Sequence, residues 1–510
     1  MIRSSALLII LILIVAIEAL AQLGPQSPPQ GTQAIPLPVS PRNQQGGSVT
    51  AIQAPVPGTT TSVNTINPSI LVQGPYTGST SSAVLFNGKL SLQEAIERAL
   101  ENNLGPVGLS DMLRQARGQN KVIRSTLLPN LTSTVTEGVQ QANLRAAGLR
   151  LSVPIAGFFI PPIVGPFNYI DFRARLTQTI MDFTAINNYR TTEEIVKANE
   201  FSLEDARDLT VLAVGGAYLQ AIAAAARVGA ANAQLETANA LYKQTSEQRA
   251  VGLVAQIDVN RSQVQVLTQQ QRLVSLQNDL SKQKINLARI TGLPSNDQYD
   301  LTNDVAFSPA PPVTAENAIR QAFELRSDLK SAQAQVRAAE RNVAAARTER
   351  LPSLSVSADY GTTGVNPAQI HGTFLVVGTL RVPIWQGGRT EGNIEQAEAA
   401  LAQRTAELSD IRGRIESDVR SAYLDMQAAA SQVEVAQTNL QVSQETLTLT
   451  RQRLEAGVSD NLAVVQAQEA IASAQLDYIN SLFAHNVAKL SLARAIGGAK
   501  ESWPRFLTVK

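Results

Sequence analysis

Two histidines, His371 and His485, and no cysteine make up the whole stock of nitrogen and sulfur metal ligands in these 510 residues. Two imidazoles far apart in the chain do not supply the three or four converging donors of a transition-metal site, so no metal is expected. His485 stands on a row spaced by seven with Val464, Ile471, Tyr478 and Leu492, and 205 positions before it is Leu280. An isolated histidine on an apolar helical stripe reads as a packing residue. His371 lies between Gly364 and Thr373 and reads as a solvated outer-loop residue. Acids are scattered beside bases, as in Asp418 and Arg420, and form no paired dyad for general acid–base work. Neither a Gly-x-x-x-x-Gly-Lys phosphate loop nor a Gly-x-Ser-x-Gly elbow occurs, and Gly361-Thr-Thr-Gly364 reads as a strand-end turn. The residues therefore point to no enzyme and no cofactor. With 43 basic and 42 acidic residues, the +1 net charge gives no electrostatic case for nucleic acid either.

What the chain does have is a repeat. Tyr218 recurs as Tyr423, Gly252 as Gly457 and Gly292 as Gly497, each 205 positions on. The last pair closes Leu287-Ala-Arg-Ile-Thr-Gly292 and Leu492-Ala-Arg-Ala-Ile-Gly497. A constant offset means no residue was gained or lost between these landmarks. Helical geometry enforces that, because one insertion rotates everything after it by about 100°. The Leu-Pro pairs Leu128-Pro129 and Leu351-Pro352 are 223 apart, so the first copy is 18 residues longer before Tyr218. That excess is assigned to an apolar loop, residues 143–169, containing Gly157-Phe-Phe-Ile-Pro-Pro-Ile-Val-Gly165.

Residues 1–21 read as a signal peptide: Arg3, an apolar run over 6–17, then Ala19-Leu20-Ala21 for cleavage. No later stretch is expected to cross a membrane as a helix, so a membrane location requires β-structure. Residues 22–82 are rich in Pro, Gln, Ser and Thr and contain no acid, which reads as a disordered linker. Two structural repeats follow, 83–293 and 315–497, with an inter-repeat linker at 294–314 and a C-terminal tail at 498–510. Ser91 and Glu94 form a capping-box pattern at the start of the first.

No proline occurs over residues 167–293 or 384–503, which predicts long helices folded as hairpins at Gly252 and Gly457. The arm 184–250 would be roughly 100 Å long if fully helical. Its seam is a heptad row of large residues, Val214, Ala221, Val228, Leu235 and Tyr242, beside a small row, Ala217, Ala224, Ala231, Ala238 and Thr245. The second copy repeats both rows, with Val419, Met426, Val433, Leu440, Leu447 and Leu454 beside Ala422, Ala429, Ala436, Ser443 and Thr450. This is coiled-coil packing in which the small row permits close backbone approach. Outside the seam the arms are polar, as suits a helical wall wetted on both sides.

Short segments alternate at period two. Ile170, Phe172, Ala174 and Leu176 interleave with charged and polar residues, as do Leu354, Val356, Ala358 and Tyr360. Residues 131–139 and 373–382 alternate more weakly. One apolar and one polar face, about ten residues long, fits a strand between lipid and an aqueous lumen. A half-buried soluble sheet has the same alternation; the signal peptide and the long helices favour the barrel. Four strands cannot close a membrane barrel, so that reading forces oligomerisation.

Taken together, these features resemble the TolC-type outer-membrane efflux proteins over about residues 90–497. The collinear set is a Leu-Pro before each strand pair, Val382-Pro-Ile-Trp-Gln-Gly-Gly-Arg389 from strand to helix, Val251-Gly-Leu-Val-Ala-Gln-Ile-Asp-Val259, and Leu-Ala-Arg-x-x-Gly closing each copy. The resemblance implies a mainly helical fold with membrane β-structure: a homotrimer with a twelve-stranded outer-membrane barrel and a twelve-helix periplasmic tunnel. It also implies a periplasmic adaptor and an inner-membrane transporter as partners. Val251, Gly252 and Leu253, with their copies Ala456, Gly457 and Val458, match the turns that meet the adaptor. Asp258 matches the family's gate acid; the usual partners would fall at Ser459 and Leu454, which cannot serve, and Arg453 and Asp460 are the nearby candidates. The function expected is passive export through the outer membrane; the alternative is a soluble periplasmic coiled-coil scaffold or adaptor.

Overall fold

The computed structural model describes residues 48–56, 65–80, 88–143, 146, 161–294, 299–302, 308–309, 312–456, 458 and 461–507. The strands are β1 (Val49–Val56), β2 (Thr65–Val72), β3 (Lys89–Leu90), β4 (Asn130–Asn143), β5 (Ile163–Met181), β6 (Asp300–Leu301), β7 (Ser353–Gly364) and β8 (Ile370–Arg381). The α-helices are α1 (Leu92–Asn102), α2 (Leu104–Ser125), α3 (Phe183–Ala250), α4 (Gln256–Thr291), α5 (Ala315–Leu325), α6 (Ser327–Thr348), α7 (Arg389–Glu455), α8 (Asn461–Ile496) and α9 (Ala499–Phe506). The duplication is visible element by element. Helices α1 and α2 begin 223 residues before α5 and α6, and α4 begins 205 before α8.

The chain divides into two compact units. One holds the sheet, residues 125–188 and 344–394, in which four antiparallel strands run in the order β4-β5-β7-β8. All four segments read as alternating in the sequence are strands. β5 reaches back to Ile163, so the expected loop 143–169 is partly strand: the pairing Gln140 to Phe167 and Asn143 to Ile163 continues past a bulge. β8 begins at Ile370, which places His371 opposite Thr363 in a ladder rather than in a loop.

The helical unit holds the remaining described residues. Here Val214, Ala221, Ala224, Ala231, Ala238 and Thr245 of the α3 rows are buried, while Ala217, Val228, Leu235 and Tyr242 are half-buried. One stretch of α3 is, against expectation, apolar and long enough by composition to cross a membrane. It is 67% buried in the protein, which accounts for its composition without lipid. Ser91 caps α1 by accepting from Glu94 N at 3.2 Å, as its spacing predicts.

The recurrent Leu-Ala-Arg-x-x-Gly motif has a structural cause. Gly292 and Gly497 end α4 and α8 with φ of 82° and 97°, a region that side chains avoid. A Cβ on Gly292 would come within 2.9 Å of Asn102, and one on Gly497 within 2.9 Å of the Arg326 backbone. Each descending helix thus ends against the junction between two short helices. At the first junction Asn103 is fully buried; its Nδ2 donates to Tyr76 O and Ile290 O, and its Oδ1 accepts from Gly105 N. At the second, 223 residues on, Arg326 pairs with Asp328 at 2.7 Å and Asp418 at 3.1 Å. Tyr218 is buried and its hydroxyl reaches Leu90 O and Thr302 O, tying α3 to β3 and to the strand end after β6. Its mate Tyr423 is only half-buried and accepts from Gln427, so the two tyrosines are not equivalent.

Residues 22–82 are not wholly linker. β1 and β2 form an antiparallel hairpin, Val49 is buried, and Ala51, Ile70 and Val72 pack on the helical core. Tyr76, in the short 3-10 turn Gly74–Thr77, is 2% exposed. Composition hid this because few apolar residues do the docking. The tail 498–510 likewise contains α9, with Trp503, Phe506 and Leu507 buried, and Asp208 accepting from Gly498 N and Lys500 N. The signal peptide lies outside the described residues.

Candidate functional site

The two hairpin turns close by the same bonds. Leu253 N donates to Gln248 O at 2.9 Å, and Val458 N donates to Arg453 O at 2.9 Å, the six-to-one bond of a Schellman turn. Gly252, at φ 79°, supplies the left-handed residue. Val251, Leu253 and Val458 are 71%, 74% and 66% exposed, and Ala456 is exposed too. Gly457 and Asp460 lie outside the described residues. Asp258 has Arg261 of the next turn at 3.7 Å, an ion pair within its own helix. The exposed Arg453 joins the turn through its carbonyl, and among the described residues its guanidinium has no ion-pair partner.

Just above the turns, Asp258, Asn260 and Arg261 border a cleft of about 350 Å³ floored by Leu241, Ile257, Val264, Leu462 and Val465. It lies between helices of both copies. Within the first hairpin Thr245 and Ser262 hydroxyls meet at 2.7 Å beside the apolar seam. Between the copies an apolar cluster of Leu241, Leu447, Val464 and Ala467 is accompanied by polar contacts: Gln265 to Glu469 at 2.6 Å, Gln234 to Gln475 at 2.9 Å, and Arg227 to Asn480 at 2.8 Å. No sequence signal pairs residues about 200–250 apart, so these were not foreseen. Arg261, three residues from Asp258, was within reach of local helix spacing.

His485 is fully buried on its row, as its spacing predicts. Burial, with Lys489 one turn on, pushes its imidazole down to about 4. Burial also lowers Lys489 to about 8, and its ammonium donates to Ser308 O at 3.1 Å and Ser308 Oγ at 2.9 Å.

In the sheet, register sorts the side chains by face. Leu131 lies opposite Leu176, Val135 opposite Phe172, Leu176 opposite Ala358, Tyr360 opposite Phe374 and Ala358 opposite Val376. Directly opposed residues share a face, so one side is mainly apolar, with Ser133, Glu137, Gln178 and Thr362 also on it, and many of its apolar side chains are exposed. The other side carries Thr132, Thr134, Arg173, Arg175, Ser357 and Asp359, although Leu375 and Val377 also fall there. Arg173 bridges Asp171 at 3.0 Å and Asp359 at 3.3 Å, tying β5 of the first copy to β7 of the second. Arg173→Ala leaves the buried Asp359 without its cation and is expected to cost roughly 1–3 kcal/mol. The readout is the melting temperature of the detergent-solubilised protein, which should fall.

The described residues thus hold a four-stranded sheet with one mainly apolar and one mainly polar face, and duplicated helical hairpins with apolar turns. A family model described as outer membrane efflux protein matches residues 96–293 and 318–498, and the chain belongs to the outer membrane efflux protein family. It is 26% identical to outer membrane protein OprJ of Pseudomonas aeruginosa over 430 residues, 80% of this chain and 84% of that one. To outer membrane protein TolC of Escherichia coli it is 22% identical over 347 residues, 64% and 69% of the two chains. Among solved structures, the Campylobacter jejuni CmeC outer membrane channel aligns with a TM-score of 0.69 at 17% identity, covering 89% of this chain and 95% of that one. The VceC outer membrane protein of Vibrio cholerae aligns at 0.67 and 18%, covering 80% and 96%. The chain is an outer-membrane efflux protein, and the scaffold alternative falls away.

Proposed function

We propose that three copies close into a passive export channel whose energy is supplied by an inner-membrane transporter through a periplasmic adaptor. The observation that carries this reading is the unclosed sheet. β4 and β8 each pair on one side only among the described strands, and unpaired backbone in lipid costs several kcal/mol per group. Three sheets joined β8 to β4 would remove every edge and give twelve strands. The helices support the same closure. Val435, Val442 and Leu449 stand seven apart on α7 and are exposed, as are Ile257 and Val264, and Leu267 and Val274, on α4. Each is an exposed apolar row at heptad spacing, of the kind a neighbouring helix covers. Mass determination of the detergent-purified particle tests this; a stable monomer would refute it.

The apolar turns and the cleft beside them form the adaptor-docking end in this reading. Leu253→Asp with Val458→Asp is expected to abolish adaptor capture in a pull-down while leaving the trimer intact. Asp258 and Arg261 sit on the rim of the same cleft, where opening of the tips would separate them from neighbouring chains. Asp258→Ala is expected to raise closed-state conductance in planar bilayers. An unchanged conductance would remove Asp258 from the gate.

A further inference from the structure

The chain leaves its sheet differently in the two copies. After β5 only Asp182 intervenes before α3, and its carboxylate accepts from Ala185 N at 2.9 Å. After β8 the residues 382–388 precede α7, and they carry Ile384 and Trp385. These two are 95% and 87% exposed, the highest values of any large apolar side chain among the described residues. Gly387 and Gly388, with φ of 62° and 83°, turn the chain back so that Arg389 starts the helix. The result is a protruding apolar corner at the end of the sheet where strands give way to helices.

Three features say what covers it. The corner continues the exposed apolar run of β8, in which Phe374, Val376 and Leu380 face the side read as lipid-facing. Its apolar tip is followed by the exposed Arg389, four residues after Trp385, while Arg381 lies opposite Ser353 on the polar side. An indole has an apolar body and one N–H, and it favours the headgroup boundary, where arginine stems can also reach phosphate. The matching junction of the first copy is less exposed: Asp182 is 8% exposed, and Ile180, Met181 and Phe183 are 57%, 36% and 43% exposed.

We propose that Ile384 and Trp385 are an interfacial anchor, seated in the phospholipid headgroup boundary at the helix end of the sheet, fixing how deep the barrel sits. The inference rests on the membrane reading of the sheet. The chain has two tryptophans, and the other, Trp503, is buried in the helical unit. The test uses the full-length Trp503→Phe trimer in phosphatidylcholine vesicles brominated either near the headgroup or near the chain ends. Shallow bromines are expected to remove most of the Trp385 emission and deep ones much less. Quenching by aqueous iodide with no effect of either lipid would overturn the proposal. So would protection from all three quenchers, which would mean that a neighbouring copy covers the corner. A second chain, Phe374→Trp with both native tryptophans changed to Phe, separates the two levels of the argument. Its mid-sheet indole should respond to bromolipid whatever happens at the corner; if it does not, the membrane reading falls and the anchor with it.

Discussion

Val376→Arg is expected to abolish the membrane-assembled trimer, whereas Thr379→Arg, three residues along the same strand, is expected to leave it intact. Val376 lies opposite Ala358 on the apolar face, and Thr379 lies opposite Ser355 on the polar one. An arginine facing lipid near mid-bilayer costs about 2–4 kcal/mol in a β-barrel, and a three-chain closure incurs that cost three times. On the polar face the same guanidinium remains hydrated. Unheated gel electrophoresis of outer-membrane fractions reads the trimer directly. Equal loss of trimer in both variants would mean that the sheet does not separate lipid from water.

His485→Leu is expected to flatten much of the acid sensitivity of the folded protein. The histidine is neutral and fully buried, held at about 4 by burial and by Lys489, against an ordinary value of 6.5. Between these values the unfolded chain binds the proton and the folded chain does not, so stability falls as pH falls. The stabilisation is complete above 6.5 and gone by about 4, and that difference corresponds to roughly 3 kcal/mol per protomer. Leucine is the residue at the matching place in the first copy, Leu280, so the substitution restores the repeat. Other groups titrate in the same range, including Asp205, whose carboxyl burial raises to about 6. The relevant measurement is therefore the difference between wild-type and variant melting temperatures at pH 7 and pH 4.5. A constant difference across that interval would show that His485 does not titrate as its burial requires.

The features of this architecture that could be read from sequence are those written in local periodicity. The heptad rows of α3 and α7 and the four alternating strands follow from spacing within a few turns or pleats, and the fixed offset between copies from landmarks repeated 205 residues apart. The hairpin of β1 and β2 escaped because its docking residues, Val49, Ala51, Ile70 and Val72, are sparse within a polar, proline-rich stretch. The turns Val251 to Leu253 and Ala456 to Val458 were legible as breaks between helices, and their exposed apolar side chains fit a contact surface. The partner of Asp258 lay within reach of local helix spacing, since Arg261 stands three residues on and pairs with it at 3.7 Å. Contacts such as Gln265 to Glu469 depend on how two distant helices pack, and neither residue type announces the other.

The buried junctions at Asn103 and Arg326 perform one architectural task with opposite chemistries, a neutral amide in one half and a guanidinium with two carboxylates in the other. Gly105 stands where Asp328 would, so an arginine transplanted to position 103 would find no counter-ion there. The halves have ceased to be interchangeable parts. Three such chains arranged about an axis would mimic hexagonal symmetry in their backbones yet alternate in polarity around the girdle, and six copies of either half alone could not reproduce that pattern.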